Sequence, residues 1–428
     1  MRATVWKLLP VLAVLVAGPA RAGEFRFLVD GEAGVTDSNY DDAGEGVQVN
    51  DYESIARAAL DLRLSYALQR WDLALSYSPA YERSLENSDL AGTSHRLAFG
   101  LAGELTRRLR LSVQERLYQT PDLNPYQPVS SPETIAVTQR GDQLAHSLDV
   151  SLNHDLTRRT GLTLGLTHGR RSYEEDDLFD SESLGARFGI GWTLTPDRRI
   201  DATAGLGRFE YENRNEADVR TLGVGFSREL GRDGQMSVDA GYWSVEQTLL
   251  FDVTGLPLEQ PLEEEETGWR GGLQLSHGRE LFRWALGYSH DVSPGAGLGR
   301  AAEVDNLFAG ISTSLGRSWT FGLDANASRQ DDLLADSSAL AGSTGQDVNA
   351  KTEFLAGTAH ASWNLGQILR LTGGYTRVWQ RAARETPFED LSYDRLFLGI
   401  GIRIYDTGET PTEPALVGES SDEEPDSQ

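Results

Sequence analysis

The chain has 428 residues, 45 glycines, no cysteine and a formal net charge of −26. The missing cysteine excludes disulfide staples, thiolate metal sites and a cysteine lipid anchor. The acidic excess argues against nucleic acid, whose phosphates it would repel. No apolar run after the first residues approaches about 18 residues, so transmembrane helices are excluded as well.

In chain order, Arg2 and Lys7 precede the apolar run LLPVLAVLVAGPA, and Ala20-Arg21-Ala22 forms an A-x-A site before Gly23. This predicts a secretory signal peptide over 1–22 and an exported mature protein. From residue 23 to 406 the apolar residues recur at every second position, and no stretch sustains a helical period. Eighteen strands are predicted, at 24–36, 52–68, 71–84, 93–106, 109–119, 141–155, 161–173, 182–194, 199–212, 217–229, 235–249, 266–278, 281–292, 301–315, 318–330, 350–365, 367–382 and 391–405. Merging a weak pair such as 199–229 would give sixteen. Short connections such as LQRWD, TRRTG and LGRSW alternate strictly with long ones such as TPDLNPYQPVSSPETIAVTQR and DDLLADSSALAGSTGQDVN. A hairpin repeat of this kind is the pattern of an outer-membrane barrel, with short periplasmic turns and longer outer loops.

The two faces of the strands agree with that reading. Leu162, Leu164 and Leu166 alternate with Thr163, Gly165 and Thr167; Leu396, Leu398, Ile400, Ile402 and Ile404 alternate with Arg395, Phe397, Gly399, Gly401 and Arg403. Charged residues opposite leucines would be unpaired in a dry core, whereas a water-filled lumen accommodates them. Trp71, Trp192, Trp284, Trp319 and Trp363 sit on the apolar face beside short turns, where an interfacial girdle belongs. The expected fold is therefore all-β, a transmembrane antiparallel up-and-down barrel of about 18 strands, with the leucines facing lipid. The alternative is a large soluble all-β protein such as a propeller or solenoid, but blades would repeat every four strands rather than every two. The last segment, 407–428, has several acids and no basic residue. It reads as a disordered tail, either inert, a periplasmic contact segment, or a plug for the lumen.

Little in the chain suggests catalysis. The seven histidines, His95, His146, His154, His168, His277, His290 and His360, form no H-x-x-x-H or H-E-x-x-H pattern, and no enzyme activity or cofactor is expected. His146 and His154 fall on the lipid-facing parity and belong at the wet ends of their strand; His360 is on lumen parity in mid-strand. Acidic clusters at Asp37/Asp41/Asp42, Glu174 to Asp177, Glu263 to Glu266 and Asp331/Asp332 fall in or beside the long loops. They read as solvated loop residues, or as weak Ca²⁺ or Mg²⁺ sites bridging to lipopolysaccharide.

The lumen parity collects Arg57, Arg63, Arg96, Arg110, Arg116, Arg187, Arg270, Arg283, Arg370, Arg395 and Arg403. Against them stand Asp30, Glu32, Asp61, Asp72, Glu104, Asp149, Asp201, Asp239 and Asp324. This is a mixed, slightly positive interior, and its charges are the selectivity candidates, since rings of charge set what a pore admits. The same residues could equally serve as Arg–Asp ladders bracing the wall. A barrel of 16 to 18 strands leaves an aqueous channel unless a loop folds inward; the segment 119–140 is the first candidate for that, and 331–349 the second.

The runs LTRRTGLTLGLTHGRRSYEEDD, LTRRLRLSVQERLY and LGRSWTFGLDANASRQDD resemble the outer-membrane β-barrel proteins of exopolysaccharide and exosortase (PEP-CTERM) systems, the β-barrel porin type 2 group. The shared style is a basic turn, an alternating strand, then Arg, an aromatic residue and acids. The resemblance implies a conduit for polysaccharide export working with periplasmic partners. The residues themselves also allow a general diffusion porin for small solutes, or a sheath around a partner protein such as a cytochrome conduit. In each case the surroundings are outer-membrane lipid and lipopolysaccharide.

Overall fold

The computed structural model describes residues 24–42, 50–85, 91–120, 143–173, 179–249, 262–279, 281–294, 301–316, 318–333, 351–366, 368–382 and 391–406. They form eighteen strands: β1 (Glu24–Asp42), β2 (Asn50–Leu68), β3 (Trp71–Ser84), β4 (Ala91–Thr106), β5 (Leu109–Thr120), β6 (Gln143–Asp155), β7 (Thr160–Tyr173), β8 (Ser181–Thr195), β9 (Arg198–Tyr211), β10 (Glu216–Glu229), β11 (Gly234–Leu249), β12 (Leu262–Arg279), β13 (Phe282–Ser293), β14 (Ala302–Leu315), β15 (Trp319–Asp332), β16 (Lys351–Leu365), β17 (Leu369–Ala382) and β18 (Leu391–Asp406). Each strand pairs antiparallel with its sequence neighbours, and β1 closes the sheet against β18. Closure removes the open edges that would otherwise leave backbone N–H and C=O groups in hydrocarbon.

Period two decides which way the closed sheet faces. Leu206 is 65% exposed, Leu398 64% and Leu222 62%. By contrast Glu82, Gln247, Gln330 and Gln380 are at most 1% exposed. Polar residues inside and leucines outside invert the water-soluble arrangement, and lipid is the solvent that makes the inversion favourable. The protein is a barrel of the outer-membrane type. Trp71, Trp192, Trp284, Trp319 and Trp363 all carry this outward parity at the turn end, and Trp319 stacks on Trp363 with ring centroids 5.2 Å apart. A second aromatic row, Tyr81, Tyr242, Trp269 and Trp379, is exposed towards the loop end. Trp71 and Tyr81 lie ten residues apart on β3; at about 3.3 Å per residue and a tilt of about 40° they bracket about 25 Å of apolar height. Beyond the second row the outward face turns ionic, with Lys351–Glu353 at 2.7 Å and Arg377–Asp394 at 3.4 Å.

The turns follow from local chemistry. Gly316 and Gly366 take φ of 64° and 74° in the recurring Leu-Gly step, a left-handed conformation that suits glycine. In TRRTG the Thr157 hydroxyl accepts from the Arg159 and Thr160 amides, which closes the turn without glycine.

Two expectations need correction, and one alternative is settled. Residues 212–215 join β9 to β10 in a tight turn on the loop side, where Tyr211 N–H donates to Asn215 O at 3.0 Å, so the short–long alternation is not strict. That turn also separates β9 from β10, which settles eighteen strands over sixteen. The acids Asp37, Asp41 and Asp42, Glu263 to Glu266, and Asp331 and Asp332 lie within β1, β12 and β15 rather than in loops. The strands run further past the membrane than the hydrophobic pattern does. The predicted signal peptide, the cluster Glu174 to Asp177 and the acidic tail lie outside the described residues.

Candidate functional site: the lumen wall

The lumen is lined by the parity opposite to the leucines, and cross-strand register decides which of its charges meet. Arg57 lies opposite Glu82, and its Nε is 3.3 Å from the buried carboxylate. Arg63 reaches along its own strand to Asp61, Nη2 to Oδ2 at 2.7 Å, while the Ser78 hydroxyl donates to the other Asp61 oxygen at 3.1 Å. Arg110 bridges to Asp155 at 3.2 Å and Arg270 to Asp291 at 2.9 Å. Arg116 donates to Gln114 Oε1 at 3.3 Å, and Arg96 lies over the Tyr118 ring, 5.4 Å from its centroid. His360 Nδ1 is 3.6 Å from Asp324. Arg370 and Arg395 each make a further contact. Arg403 stands opposite Asp30 where β1 meets β18; the side chains of Arg403, Asp30 and Glu32 lie outside the described residues.

Four candidates stand apart. Among the described residues Asp149, Arg187, Asp239 and Arg283 make no side-chain hydrogen bond or ion pair, and each is exposed to the lumen. The expected slight positive excess does not hold. Glu82, Asp155 and Asp291 take Arg57, Arg110 and Arg270; these acids share the parity of Asp72, Asp149 and Arg283 within the expected strands and were left out of the expected set. Charge is close to balanced over the inward wall.

Glycine explains how long side chains lie along the lumen wall. A Cβ on Gly165 would meet Arg187 Cβ at 3.7 Å, one on Gly225 would meet Asp201 Oδ2 at 2.6 Å, and one on Gly322 would meet the His360 ring at 2.1 Å. Inward side chains thus lie flat along the wall across a glycine of the next strand.

The loop-side half of the lumen is different. Ala217, Val219, Trp243 and Val245, all inward on β10 and β11, pack with Ala301 and Leu333 into one buried apolar cluster. The Ala301 N–H donates to Gln247 Oε1 at 3.2 Å. Leu333 follows β15, four strands from β11 and about 19 Å along the wall at about 4.8 Å per strand. The register that pairs Ala302 with Asp332 sets Leu333 beside Ala301, so it is the Ala301–Gln247 contact that spans the mouth and narrows it. Leu333 belongs to the second expected constriction segment; residues 121–142, which hold most of the first, lie outside the described residues. Sequence reasoning missed Trp243 and Val245, although they share the lumen parity of Asp239. Two large apolar residues there are the signal that something packs inward.

His146 sits on the outward parity expected of it, with Nε2 3.2 Å from Glu115. His168, also outward, has Nε2 3.1 Å from Glu182 and lies level with Leu148 and Leu184 in the register.

No protein-family model matches the sequence, and no curated protein is significantly similar to it. Solved structures that it resembles include Pseudomonas aeruginosa OpdO, at 14% identity over 89% of this chain and 98% of that one, with a TM-score of 0.43. Pseudomonas aeruginosa OccK2 (OpdF) in complex with glucuronate follows at 13% identity, 89% and 98% coverage and a TM-score of 0.43. Acinetobacter baumannii OccAB3 is 10% identical over 88% of this chain and 99% of that one, with a TM-score of 0.42.

Proposed function

We propose that the chain forms a diffusion channel for small hydrophilic solutes across the outer membrane. The observation that carries this is the inward wall. Several of its charges lie flat over glycines, both signs are present in near-equal measure with some held in pairs, and they face the aqueous bore that an 18-strand barrel leaves open unless a loop folds inward. A near-balanced wall discriminates more by size than by sign, and Arg187 and Asp149 provide local contacts for one charged group at a time. Export of an exopolysaccharide, as the family resemblance implies, asks for a wide continuous bore and periplasmic partners. The cluster at Trp243 narrows the loop-side mouth and favours small solutes.

Flux through vesicles containing the purified protein alone tests this. Monosaccharides and small organic acids are expected to enter at rates that fall steeply with size, without partners or an energy source. Entry of nothing smaller than a polymer, or entry only with added periplasmic proteins, would overturn it.

A further inference from the structure

Charges that brace the lumen wall find their partners close by. Arg63 meets Asp61 on its own strand, and Arg57 and Arg270 meet Glu82 and Asp291 on the next strand. Asp149 on β6 and Arg187 on β8 are arranged otherwise. Both side chains are exposed in the lumen, and among the described residues neither makes a hydrogen bond or ion pair. They share one sector of the wall, two strands apart, with β7 between them. Asp149 stands opposite Thr167 of β7, and Arg187 stands opposite Gly165, two residues along that strand. At about 4.8 Å per strand and about 3.3 Å per residue, their Cα atoms are about 12 Å apart.

The ground between them is low and polar. Arg187 lies back across β7, with its Nε 3.8 Å from where a Gly165 Cβ would stand. The Thr167 hydroxyl leans the other way, over Gly185, 2.5 Å from the place of a Cβ there. A glycine and a tilted threonine thus keep the inward face of β7 clear, with a guanidinium at one end and a carboxylate at the other. On the far side of Asp149, Gln114 stands opposite it, and Arg116 is turned to Gln114 Oε1 at 3.3 Å rather than to the carboxylate.

A lone cation draws any anion, and a lone anion any cation. The two together, across an interval that neither side chain closes, match a molecule that carries both signs. We infer that the β6–β8 wall holds a binding site for a small zwitterion, with its ammonium group on Asp149 and its acid group on Arg187. The guanidinium offers a carboxylate two parallel donors, which fixes the direction in which the solute lies. The ligand supplies the ion pairs that register denies to the wall. This deepens the diffusion-channel reading, on which it rests for the solute's access to the lumen: a wall balanced in sum suits solutes that are neutral in sum yet charged at both ends.

The probes are β-alanine, 3-hydroxypropionate, 3-aminopropanol and 1,3-propanediol, which carry both charges, the acid alone, the ammonium alone and neither on one short frame. Binding is read by saturation-transfer NMR with the full chain in detergent micelles. β-Alanine is expected to saturate, and to bind at least about threefold more tightly than either single-charge analogue, the scale of one exposed ion pair. Asp149→Asn brings β-alanine down to the level of 3-hydroxypropionate, and Arg187→Gln brings it down to that of 3-aminopropanol. Heat-modifiable gel migration checks that both variants are folded; should one not fold, the four probes on the parent decide. β-Alanine binding no tighter than its single-charge analogues, or an advantage that survives both substitutions, overturns the inference. Entry of 1,3-propanediol into vesicles tests the channel reading separately: its exclusion sinks that reading, whereas the binding series in micelles needs no transport.

Discussion

The wall at β2 and β3 and the wall at β7 and β8 use the same kinds of residue for opposite ends. At β2 and β3, Arg57 is bound to a fully buried Glu82, and Arg63, Asp61 and Ser78 form a linked set. At β7 and β8, Arg187 projects over Gly165 with no such partner. A charge that is paired and shielded braces the barrel, and a charge left in water acts on what passes. The difference lies in register and burial, so a list of lumen arginines does not by itself identify selectivity residues.

The comparison is broken most strongly at Glu82. Arg57→Ala takes from that buried carboxylate the cation opposite it, leaving Arg96 as a second positive charge within range, and removing one partner of a buried pair typically costs about 3–5 kcal/mol. Arg57 itself is partly exposed, so a loss of about 3 kcal/mol is expected in urea unfolding from vesicles, with much of it recovered by adding Glu82→Gln. On the outer side of the second sector, Leu206→Arg puts a cation in the lipid belt and should cost about 2–4 kcal/mol, by the same measurement. Arg187→Glu should leave stability within about 0.5 kcal/mol while moving the zero-current potential towards cation preference. If it destabilised as much as Arg57→Ala, the two sectors would not differ in kind.

The smallest effect concerns the β8–β9 turn, outside the membrane. Asp197 is held below the usual carboxylate range, chiefly by the Thr195 hydroxyl, which donates at 2.7 Å, and then by backbone and Arg198 contacts. A lowered value means its contribution is present above the ordinary carboxylate pKa of about 3.9 and is lost as pH falls through the lowered one. Thr195→Val should raise the Asp197 titration midpoint, read by NMR, with little change in stability at neutral pH.

Most of the architecture was legible because lipid imposes period two on every strand and hairpin geometry sorts the connections. Leu396 to Ile402 needed no partner to be read as a lipid face. The ion pairs were not legible in the same way. Arg57 and Glu82, or Arg110 and Asp155, are far apart in sequence and meet only through a register that a strand list does not contain. Strand ends were also misread: Glu263 to Glu266 look like a solvated loop, yet they extend β12 because β11 offers a ladder beyond the membrane. The inward cluster left half a signal, Trp243 and Val245 on lumen parity, which sequence reasoning passed over, whereas Ala301 and Leu333 carry no signal of their own.

The central claim is that this barrel, alone, is an open aqueous channel with a nearly balanced wall. Single-channel recording of the purified protein in a planar bilayer under asymmetric salt tests it most directly. The account predicts a steady ohmic conductance whose zero-current potential lies close to zero and shifts towards cation preference in Arg187→Glu. A protein that inserts but stays silent, or an Arg187→Glu potential identical to the parent's, would contradict it.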